Sequence, residues 1–349
     1  MYELGSDLHL HNWSAFSSIN KDGVNSRLQI IISELIRAGT KASKTKHPCL
    51  MLAGDIFHVR GSIAPSVLNP VLAAFDHIVN ELGVVVYAIP GNHDLESKDT
   101  TALTNGADAL KTVGVNMINE PKLVVTPSGQ KVVMVPWVND LSHLKSILET
   151  LSPVAKSETD LIIHAPVDGV ILGLPDHGLT PEYLGDLGFN RVFSGHYHNH
   201  VDFGNKVYSI GATTHQTWGD THSKAGWLSV NDEVTYQASH APSFYTLEAG
   251  TSLTEIPLLV DGNYVRVSME IQEESQVGEM RYFLMDCGAK GVLINRLRKS
   301  SSVSRTGATV KSGSSLIESM GQFIKAKKFP RESELTKLCS DILNDAETA

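Results

Sequence analysis

Cysteine and long apolar runs are both scarce in this sequence. Its 349 residues contain only three cysteines, Cys49, Cys287 and Cys339, without the spacing of a zinc ribbon or a disulfide framework. No run of about 18 apolar residues is present, which excludes a conventional membrane-spanning helix. The first residues lack a basic start followed by an apolar core, so they predict no signal peptide. We therefore expect a cytoplasmic protein without a membrane partner, in which any metal is held by histidine, aspartate and asparagine.

The charge of the chain is unevenly distributed. A net charge of −9 argues against a nucleic-acid partner, but the segment 281–328 contains ten basic and two acidic residues, a net charge of +8. Such asymmetry indicates an anionic partner, although a solvated basic face explains it equally well. The side chains that we predict to contact the polyanion are Arg281, Lys290, Arg296, Arg298 and Lys299.

The first 240 residues alternate short apolar runs with helical patterns. Strand-like runs cover residues 49–57, 84–91, 131–137, 160–165, 191–198 and 206–212. Between them, apolar residues recur at helical spacing over 28–36 and 68–82. Because the chain is long enough for two domains, we predict a layered α/β domain over residues 1–250.

The pattern of predicted elements and the composition change after residue 250. Residues 251–299 predict a small β-α-β unit, and the Ser- and Gly-rich stretch 300–315 predicts a flexible linker. Residues 316–349 predict a helical tail, whose second helix has Leu335, Leu338, Ile342 and Leu343 on one face. This apolar stripe either folds back on its own domain or docks in the groove of a partner, and the sequence leaves both open.

Histidine, aspartate and asparagine follow five of the predicted strands. They are Asp7 and His9, Asp55 and His58, Asn92 with His93 and Asp94, His164, and finally His196 with His198. Ligands of open α/β sheets bind beyond the carboxyl ends of the strands, so we expect these side chains to converge. Residues two apart on an extended segment point to the same face, so we expect Asp7 and His9 to reach one centre, and likewise His196 and His198.

Seven of these side chains are typical metal ligands. They are Asp7, His9, Asp55, Asn92, His164, His196 and His198. Oxygen and imidazole ligands without thiolate suit manganese, iron or zinc and can also use magnesium. Seven ligands are too many for one tetrahedral ion and fit two ions that share a bridging carboxylate. Paired divalent ions are typical of phosphoester hydrolysis.

The ordered motifs D-x-H, G-D, G-N-H-D, H and G-H-x-H span residues 1 to about 215 and resemble those of the calcineurin-like metallophosphoesterases. The resemblance implies an α/β fold with a layered two-sheet core flanked by helices. It implies that one ion is held by Asp7, His9, Asp55 and His198, and the second by Asp55, Asn92, His164 and His196. It also implies that His93, oriented by Asp94, donates a proton or stabilises the charged transition state.

Two motifs distinguish branches of this family. Its protein phosphatases usually carry G-D-x-x-D-R-G and G-N-H-E, whereas this chain has "GDIFHVRG" and "GNHD". The departure disfavours a phosphoprotein substrate. "GDIFH" is similar to the SbcD-type subunits of DNA-repair nucleases and to their phage recombination counterparts, in which a histidine at the position of His58 helps to direct duplex ends.

This second resemblance implies a Mn²⁺-dependent DNA exonuclease or endonuclease for repair or recombination, acting on ends or hairpins. It also implies a small C-terminal α+β capping domain, a tail that binds an SbcC-like ATPase, and a homodimer. The alternatives are a small-molecule phosphodiesterase or phosphomonoesterase of the same fold, and a metal-free interaction scaffold. The complete ligand set argues against the scaffold.

Overall fold

The computed structural model describes residues 1–97, 105–154, 158–271, 273–297, 316–329 and 331–347. The strands are β1 (Tyr2–Gly5), β2 (Cys49–Ala53), β3 (Val85–Ile89), β4 (Asn116–Met117), β5 (Lys122–Val125), β6 (Lys131–Val135), β7 (Thr159–His164), β8 (Val192–Gly195), β9 (Val201–Asp202), β10 (Val207–Ser209), β11 (Gly226–Val230), β12 (Val234–Ala238), β13 (Phe244–Leu247), β14 (Tyr264–Glu270) and β15 (Gly291–Leu297). The helices are α1 (Ser26–Ser43), α2 (Pro65–Asp76), α3 (Leu141–Leu151), α4 (Pro181–Asp186), α5 (Ile256–Val260), α6 (Ser275–Asp286), α7 (Leu316–Lys327) and α8 (Glu332–Glu347).

Two six-stranded sheets form the centre of the first compact unit, which comprises residues 1–268 and 273–295. The strand orders are β12-β11-β1-β2-β3-β4 and β5-β6-β7-β8-β10-β9. Strands β1 to β4 are parallel to one another, and so are β6, β7, β8 and β10, whereas the remaining strands of these two sheets are antiparallel to their neighbours. The two mixed sheets flanked by helices confirm the predicted α/β fold.

Apolar clusters fill the spaces between the layers. Leu4, Met51, Ile162 and Phe193 belong to a buried cluster contributed by both sheets. Helices α1 and α2 cover the outer face of the first sheet, and α3 and α4 cover that of the second. Strands in the middle of such a sandwich are buried on both faces, which explains their continuous apolar runs.

Helix α1 follows from local sequence signals. The Asn25 side chain accepts hydrogen bonds from the backbone N–H groups of Arg27 and Leu28 and so caps the first turn. The expected helix over 68–82 is divided, because α2 ends at Asp76 and a π-helical turn, His77–Glu81, follows it.

A buried polar network ties the two sheets together far from the carboxyl end of β7. Asp160 accepts hydrogen bonds from the Tyr2 hydroxyl at 2.8 Å and from Arg191 Nη2 at 2.9 Å. Arg191 Nη1 also donates to the carbonyl of Asn231, beyond β11, at 2.6 Å. Asp160 is fully buried, and the Arg191 side chain is 11% exposed. The network therefore holds β1 and β11 of one sheet against β7 of the other.

We expect Asp160→Ala to lower the free energy of unfolding by about 3–5 kcal/mol, because it leaves the Arg191 charge buried without its partner. Lys111→Ala is the control, since it breaks a bridge to Asp108 in which the Lys111 side chain is 47% exposed, and such pairs contribute about 0–1 kcal/mol. Urea unfolding of both variants measures the difference. Equal losses would contradict the inter-sheet role of Asp160.

A three-stranded sheet in the order β13-β14-β15 follows the sandwich, with α6 between β14 and β15. The second compact unit comprises residues 269–272 and 296–349, in which α7 and α8 pack against each other. The domain limits remain a prediction. The predicted linker, residues 300–315, lies outside the described residues. No helix in the described ranges is both long and apolar enough to cross a membrane.

Candidate metal centre

Two groups of potential metal ligands lie side by side where the strands end. One consists of Asp7, His9 and His198, and the other of Asp55, His164 and His196; within each group the ligand atoms lie within 4.8 Å of one another. Asp55 Oδ1 is 3.5 Å from His164 Nε2, and Asp55 Oδ2 is 3.6 Å from His9 Nε2. The Asp55 carboxylate therefore faces both groups.

Asn92 completes the second group. Its Oδ1 lies 3.1 Å from His164 Nε2 and 3.0 Å from His196 Nδ1. In the first group, His9 Nε2 and His198 Nε2 are 3.2 Å apart. The structure thus brings together all seven side chains expected to bind metal, in the two sets that the family resemblance implies. Their role as ligands remains a prediction.

The expectation that His196 and His198 reach one centre from an extended segment is wrong. Strand β8 ends at Gly195, and His196 has a φ of 101°, which turns the chain away from the extended conformation. The two side chains consequently enter different groups. Asp7 and His9 do share a group, but both also have positive φ, so an extended strand is not the reason.

Strained backbone is concentrated at this centre. Asp7, His9 and Asp55 have φ values of 50°, 45° and 51°, which non-glycine residues seldom adopt. Such conformations persist only where the surroundings enforce them, and they cluster at functional sites. Gly54 precedes Asp55 with a φ of 96°, and a Cβ atom there would collide with the His164 ring. The close approach of these strand ends therefore requires glycine.

Two histidines are fixed by hydrogen bonds on the side away from the centre. His164 Nδ1 lies 2.6 Å from the carbonyl of Ala53, and His198 Nδ1 lies 2.6 Å from Asp220 Oδ1. Both acceptors require a proton on Nδ1. The Nε2 atom of each ring is therefore the one that faces the neighbouring ligand atoms. Metal-bound histidines are commonly oriented in this way, by an acceptor that binds the other ring nitrogen.

Asp220 is a functional candidate that the sequence analysis missed. Its Oδ2 also accepts hydrogen bonds from the backbone N–H groups of Gln216 and Thr217, both at 2.8 Å. The carboxylate thus fixes its own turn while it orients the His198 ring. Its signal in the sequence is the segment "QTWGD", but the separation of 22 positions between His198 and Asp220 hides the pairing.

We expect Asp220→Asn to lower the Mn²⁺ affinity of the site by about 10- to 100-fold, because an amide holds the His198 ring less well than a carboxylate does. Asp202→Asn, at an exposed aspartate on β9, serves as the matched control. Isothermal titration with Mn²⁺ measures both. A Mn²⁺ affinity equal to that of the control would show that Asp220 stabilises only the turn in which it lies.

His93 and His58 stack beside these two groups and, together with His9, form a third group whose ligand atoms also lie within 4.8 Å of one another. Their ring centroids are 5.2 Å apart at an interplanar angle of 12°, and the His93 and His9 centroids are 4.8 Å apart. His93 Nδ1 lies 2.7 Å from the carbonyl of His58 and so carries a proton, which leaves Nε2 as its other polar atom. His58 Nδ1 approaches His9 Nδ1 to 3.2 Å.

The interpretation that Asp94 orients His93 is wrong. The fully embedded Asp94 carboxylate accepts hydrogen bonds from the backbone N–H groups of Ile56, Phe57 and Gly91. It therefore joins the loop after β2 to the loop after β3, and the His58 carbonyl orients His93 instead. Burial, assisted by the negative charge of Asp55, raises the pKa of Asp94 to about 7.

Burial and mutual proximity shift the histidines in opposite directions. Burial lowers the pKa of His196 to about 3 and that of His58 to about 4, with the positive charge of a neighbouring histidine as the second cause. Burial also acts on His164, but the Asp55 carboxylate and its hydrogen bond outweigh it and raise the pKa of His164 to about 9. Although burial opposes it, the same pairing with His164 holds the pKa of Asp55 well below its usual range.

The donor set fits divalent metal ions. Asp7 Oδ2 accepts hydrogen bonds from the Ser6 hydroxyl and the His196 N–H, whereas the buried Asp7 Oδ1 has no hydrogen-bond partner. A buried carboxylate oxygen without a partner is costly, and a cation among the imidazoles would satisfy it. Oxygen and nitrogen donors without sulfur are compatible with manganese, iron, zinc or magnesium.

Aromatic packing connects this centre to the small sheet. Trp13 lies against His58 with ring centroids 4.4 Å apart. Behind it, the buried Arg27 guanidinium lies 5.3 Å from the Trp13 ring, 5.0 Å from Phe244 on β13 and 5.5 Å from Tyr264 on β14. We call these four residues the arginine stack. It supports the wall from which His58 projects.

The predicted DNA-contacting residues are only partly described. Arg281, Lys290 and Arg296 are exposed, and Arg281 Nη1 donates a hydrogen bond to the carbonyl of Val292. Arg298 and Lys299 lie outside the described residues. Contact of these five side chains with DNA remains a prediction.

Comparisons with known proteins identify a family for most of the site. The family model of the calcineurin-like phosphoesterases matches residues 6–200. A solved structure of a dimetal phosphatase from Danio rerio is similar at 11% sequence identity, with a TM-score of 0.36 over 68% of this chain and 92% of that chain. No curated protein matches the sequence.

Proposed function

The chain belongs to the calcineurin-like phosphoesterases, and from this premise we propose that it is a two-metal phosphodiesterase whose substrate is DNA. The observation that carries phosphodiester hydrolysis is the Asp55 carboxylate, which faces two adjacent groups of metal-type ligands. Seven residues would hold the ions, namely Asp7, His9, Asp55, Asn92, His164, His196 and His198. Manganese is the metal that we propose.

Two divalent ions bound there would supply positive charge to the phosphate and acidify the attacking water. The residues of the chain do the rest. Asp220 and the Ala53 carbonyl keep the His198 and His164 rings turned toward the centre. Asp94 holds the two loops that carry Asp55 and Asn92 at a fixed separation, so the ligands need no rearrangement when substrate arrives.

His93 is proposed as the catalytic acid. Hydrolysis forms a bond between the water oxygen and phosphorus and breaks the bond to the leaving oxygen, which must gain a proton. His93 Nε2 faces away from the His58 carbonyl that binds Nδ1, so it can hold a proton for that oxygen. His58 stacks on its ring and limits its rotation.

DNA as the substrate is supported by sequence and surface. The motif "GDIFH" places His58 against His93, where an SbcD-type nuclease has a histidine for directing duplex ends. Arg281 on α6 and Lys290, directly before β15, are exposed cations, and such side chains supply phosphate contacts without sequence specificity. The proposed activity is therefore exonuclease or endonuclease action on ends or hairpins, in DNA repair or recombination.

Digestion of end-labelled linear duplex and single-stranded DNA with Mn²⁺ tests this proposal. We expect the protein to degrade at least one of them and expect His93→Ala to be inactive on both. The comparison substrate is bis-p-nitrophenyl phosphate, a phosphodiester without a nucleic-acid chain. If the full chain cleaved this ester but degraded no DNA, even at low salt, the result would favour a small-molecule phosphodiesterase instead.

We also propose that the partners are a second copy of the chain and an SbcC-like ATPase that binds the helical tail. Leu338 and Ile342 lie four residues apart on α8 and are 57% and 58% exposed, as expected of a helix that lays an apolar face in a groove. Affinity capture of the ATPase by the full chain and by a chain ending at residue 315 tests the tail. Undiminished capture by the short chain would exclude it. The cytoplasmic location remains a prediction based on the sequence.

A further inference from the structure

A cavity of about 390 Å³ is separated from the candidate metal centre by His58: the ring centroid of its lining residue His11 lies 5.2 Å from that of His58, which packs in turn against His9 and His93. Its wall includes Leu10, which follows His9, and Phe57 and Val59, which flank His58. Ile63 and the first turn of α2 form the opposite side. We call this space the flanking cavity. Several of its lining residues are thus chain neighbours of His9 and His58.

The lining of the flanking cavity selects an uncharged group. Its walls are mainly aliphatic and aromatic, and the described residues that line it include one titratable side chain, His11, whose ring packs against Trp13 and His58. A phosphate or a charged peptide side chain would lose its hydration there without compensation. A flat molecule with apolar faces would instead bury them against Leu10, Phe57 and Ile63.

One polar group in the wall lacks a partner. Asn12 Nδ2 donates a hydrogen bond to the Ser66 hydroxyl at 2.8 Å, which fixes the plane of the amide. Asn12 Oδ1 is buried and has no hydrogen-bond partner. An unsatisfied buried acceptor is costly, and a hydrogen-bond donor of a ligand that reached it would relieve this cost. Asparagine amides pair well with the polar edges of nucleobases.

We propose that the flanking cavity binds the nucleobase next to the scissile phosphodiester. The inference rests on the proposed function and narrows its substrate to nucleotide esters. A nucleobase is uncharged, has two apolar faces and a polar edge, and is joined to its phosphate through the sugar. A paired and stacked base cannot enter such a cavity, so the substrate must present an unpaired nucleotide at its end.

Two esters that differ only in the group beside the phosphate test the proposal. Methyl p-nitrophenyl phosphate has no base, whereas the p-nitrophenyl phosphate esters of thymidine, at its 5′ or 3′ oxygen, do. We expect the protein to prefer a thymidine ester by at least about tenfold in kcat/KM, which is the range that apolar pockets achieve. Equal kcat/KM values for all the esters would overturn the proposal.

Filling the cavity from its mouth gives the matched comparison. Ala64 lines the cavity, is exposed and has no side-chain role in capping α2, so Ala64→Phe adds a ring without removing a contact. We expect it to abolish the preference for the thymidine ester and to change kcat/KM for the methyl ester by less than about twofold. Ala238→Phe, at an exposed position on β12, controls for an added surface ring. An unchanged preference in Ala64→Phe would overturn the proposal.

The role of the amide is tested separately. Asn12→Ala removes the amide, whereas Ser66→Ala removes the same hydrogen bond and keeps the amide. We expect the thymidine preference to fall by about tenfold in the first variant and to persist in the second. Equal losses in both variants would show that the bond to Ser66, and not recognition by Asn12, determines the preference.

Binding without turnover separates this proposal from the proposed function. Calorimetry with Mn²⁺ compares thymidine 5′-monophosphate with methyl phosphate, and we expect the nucleotide to bind at least about tenfold more tightly, except in Ala64→Phe. That result, together with no ester hydrolysis, would refute the proposed function and retain the subsite. Equal affinities would refute the subsite. A further result would also refute the subsite. If sedimentation showed a dimeric parent and a monomeric Ala64→Phe variant, and this variant kept the thymidine preference, a second copy of the chain would be the occupant that covers the cavity.

Discussion

Asp55→Ala should abolish phosphodiester hydrolysis, with a loss of more than about a thousandfold in kcat/KM. The Asp55 carboxylate faces both ligand groups, at 3.6 Å from His9 Nε2 and 3.5 Å from His164 Nε2. Its removal affects both proposed ions together, and each contributes several kcal/mol of transition-state stabilisation. Its Oδ1 also accepts a hydrogen bond from the backbone N–H of His93, so the loop that carries the proposed acid loosens as well.

The measurement is Mn²⁺-dependent hydrolysis of bis-p-nitrophenyl phosphate, with metal content determined on the same samples. Asp76→Ala is the control, because Asp76 is an exposed aspartate at the end of α2. It should retain full activity and metal. A chain with Asp55→Ala that still hydrolyses the ester at the parental rate would place the active site elsewhere.

His93→Ala should lower kcat by about 10²- to 10⁴-fold while the protein keeps its metal, because general acid catalysis contributes an effect of that size. His93 shares no ligand group with Asp55 or His198, although it forms a third group with His9 and His58. Its backbone N–H, which donates to Asp55, is retained in the variant. The ligand geometry should consequently survive the loss of the ring.

The distinguishing measurements are kcat and metal content together. His77→Ala, at a histidine whose side chain is 36% exposed and paired with Glu81, controls for the loss of an imidazole. A second readout is the leaving group: p-nitrophenolate needs a proton less than an alkoxide does, so the deficit should be smaller for p-nitrophenyl esters than for DNA. Loss of metal in His93→Ala, or equal deficits on both substrates, would show that the residue does not act as an acid.

The sequence was sufficient to predict the fold and the residues that converge, because both depend on local signals. Continuous apolar runs indicated buried parallel strands, and ligand-type residues at their ends indicated a shared edge. The sequence did not predict the backbone conformation at the ends of the strands. The runs continue past the last paired residue, so the positive φ of Asp55 and His196 could not be read from hydrophobicity.

Pairings between distant residues were also beyond the sequence. Asp94 looked like the partner of His93 because it is adjacent, yet its carboxylate binds the backbone of another loop at Ile56 and Phe57. The segment that contains Asp220 did not identify it as the partner of His198, since a carboxylate in a turn is common. In both cases tertiary structure, which brings separate loops within hydrogen-bonding distance, decides the role.

The arginine stack determines where this protein can be shortened. Phe244 is 1% exposed and Tyr264 is 4% exposed, and both lie against the same guanidinium as Trp13. A chain cut at residue 250 would remove Tyr264 and bare the rings that support His58. Loss of activity in such a fragment would then result from the lost support of His58 and not from a missing DNA-binding module. A minimal catalytic fragment should therefore retain β14 and β15, and gain or loss of the small sheet during evolution would require a new support for Trp13.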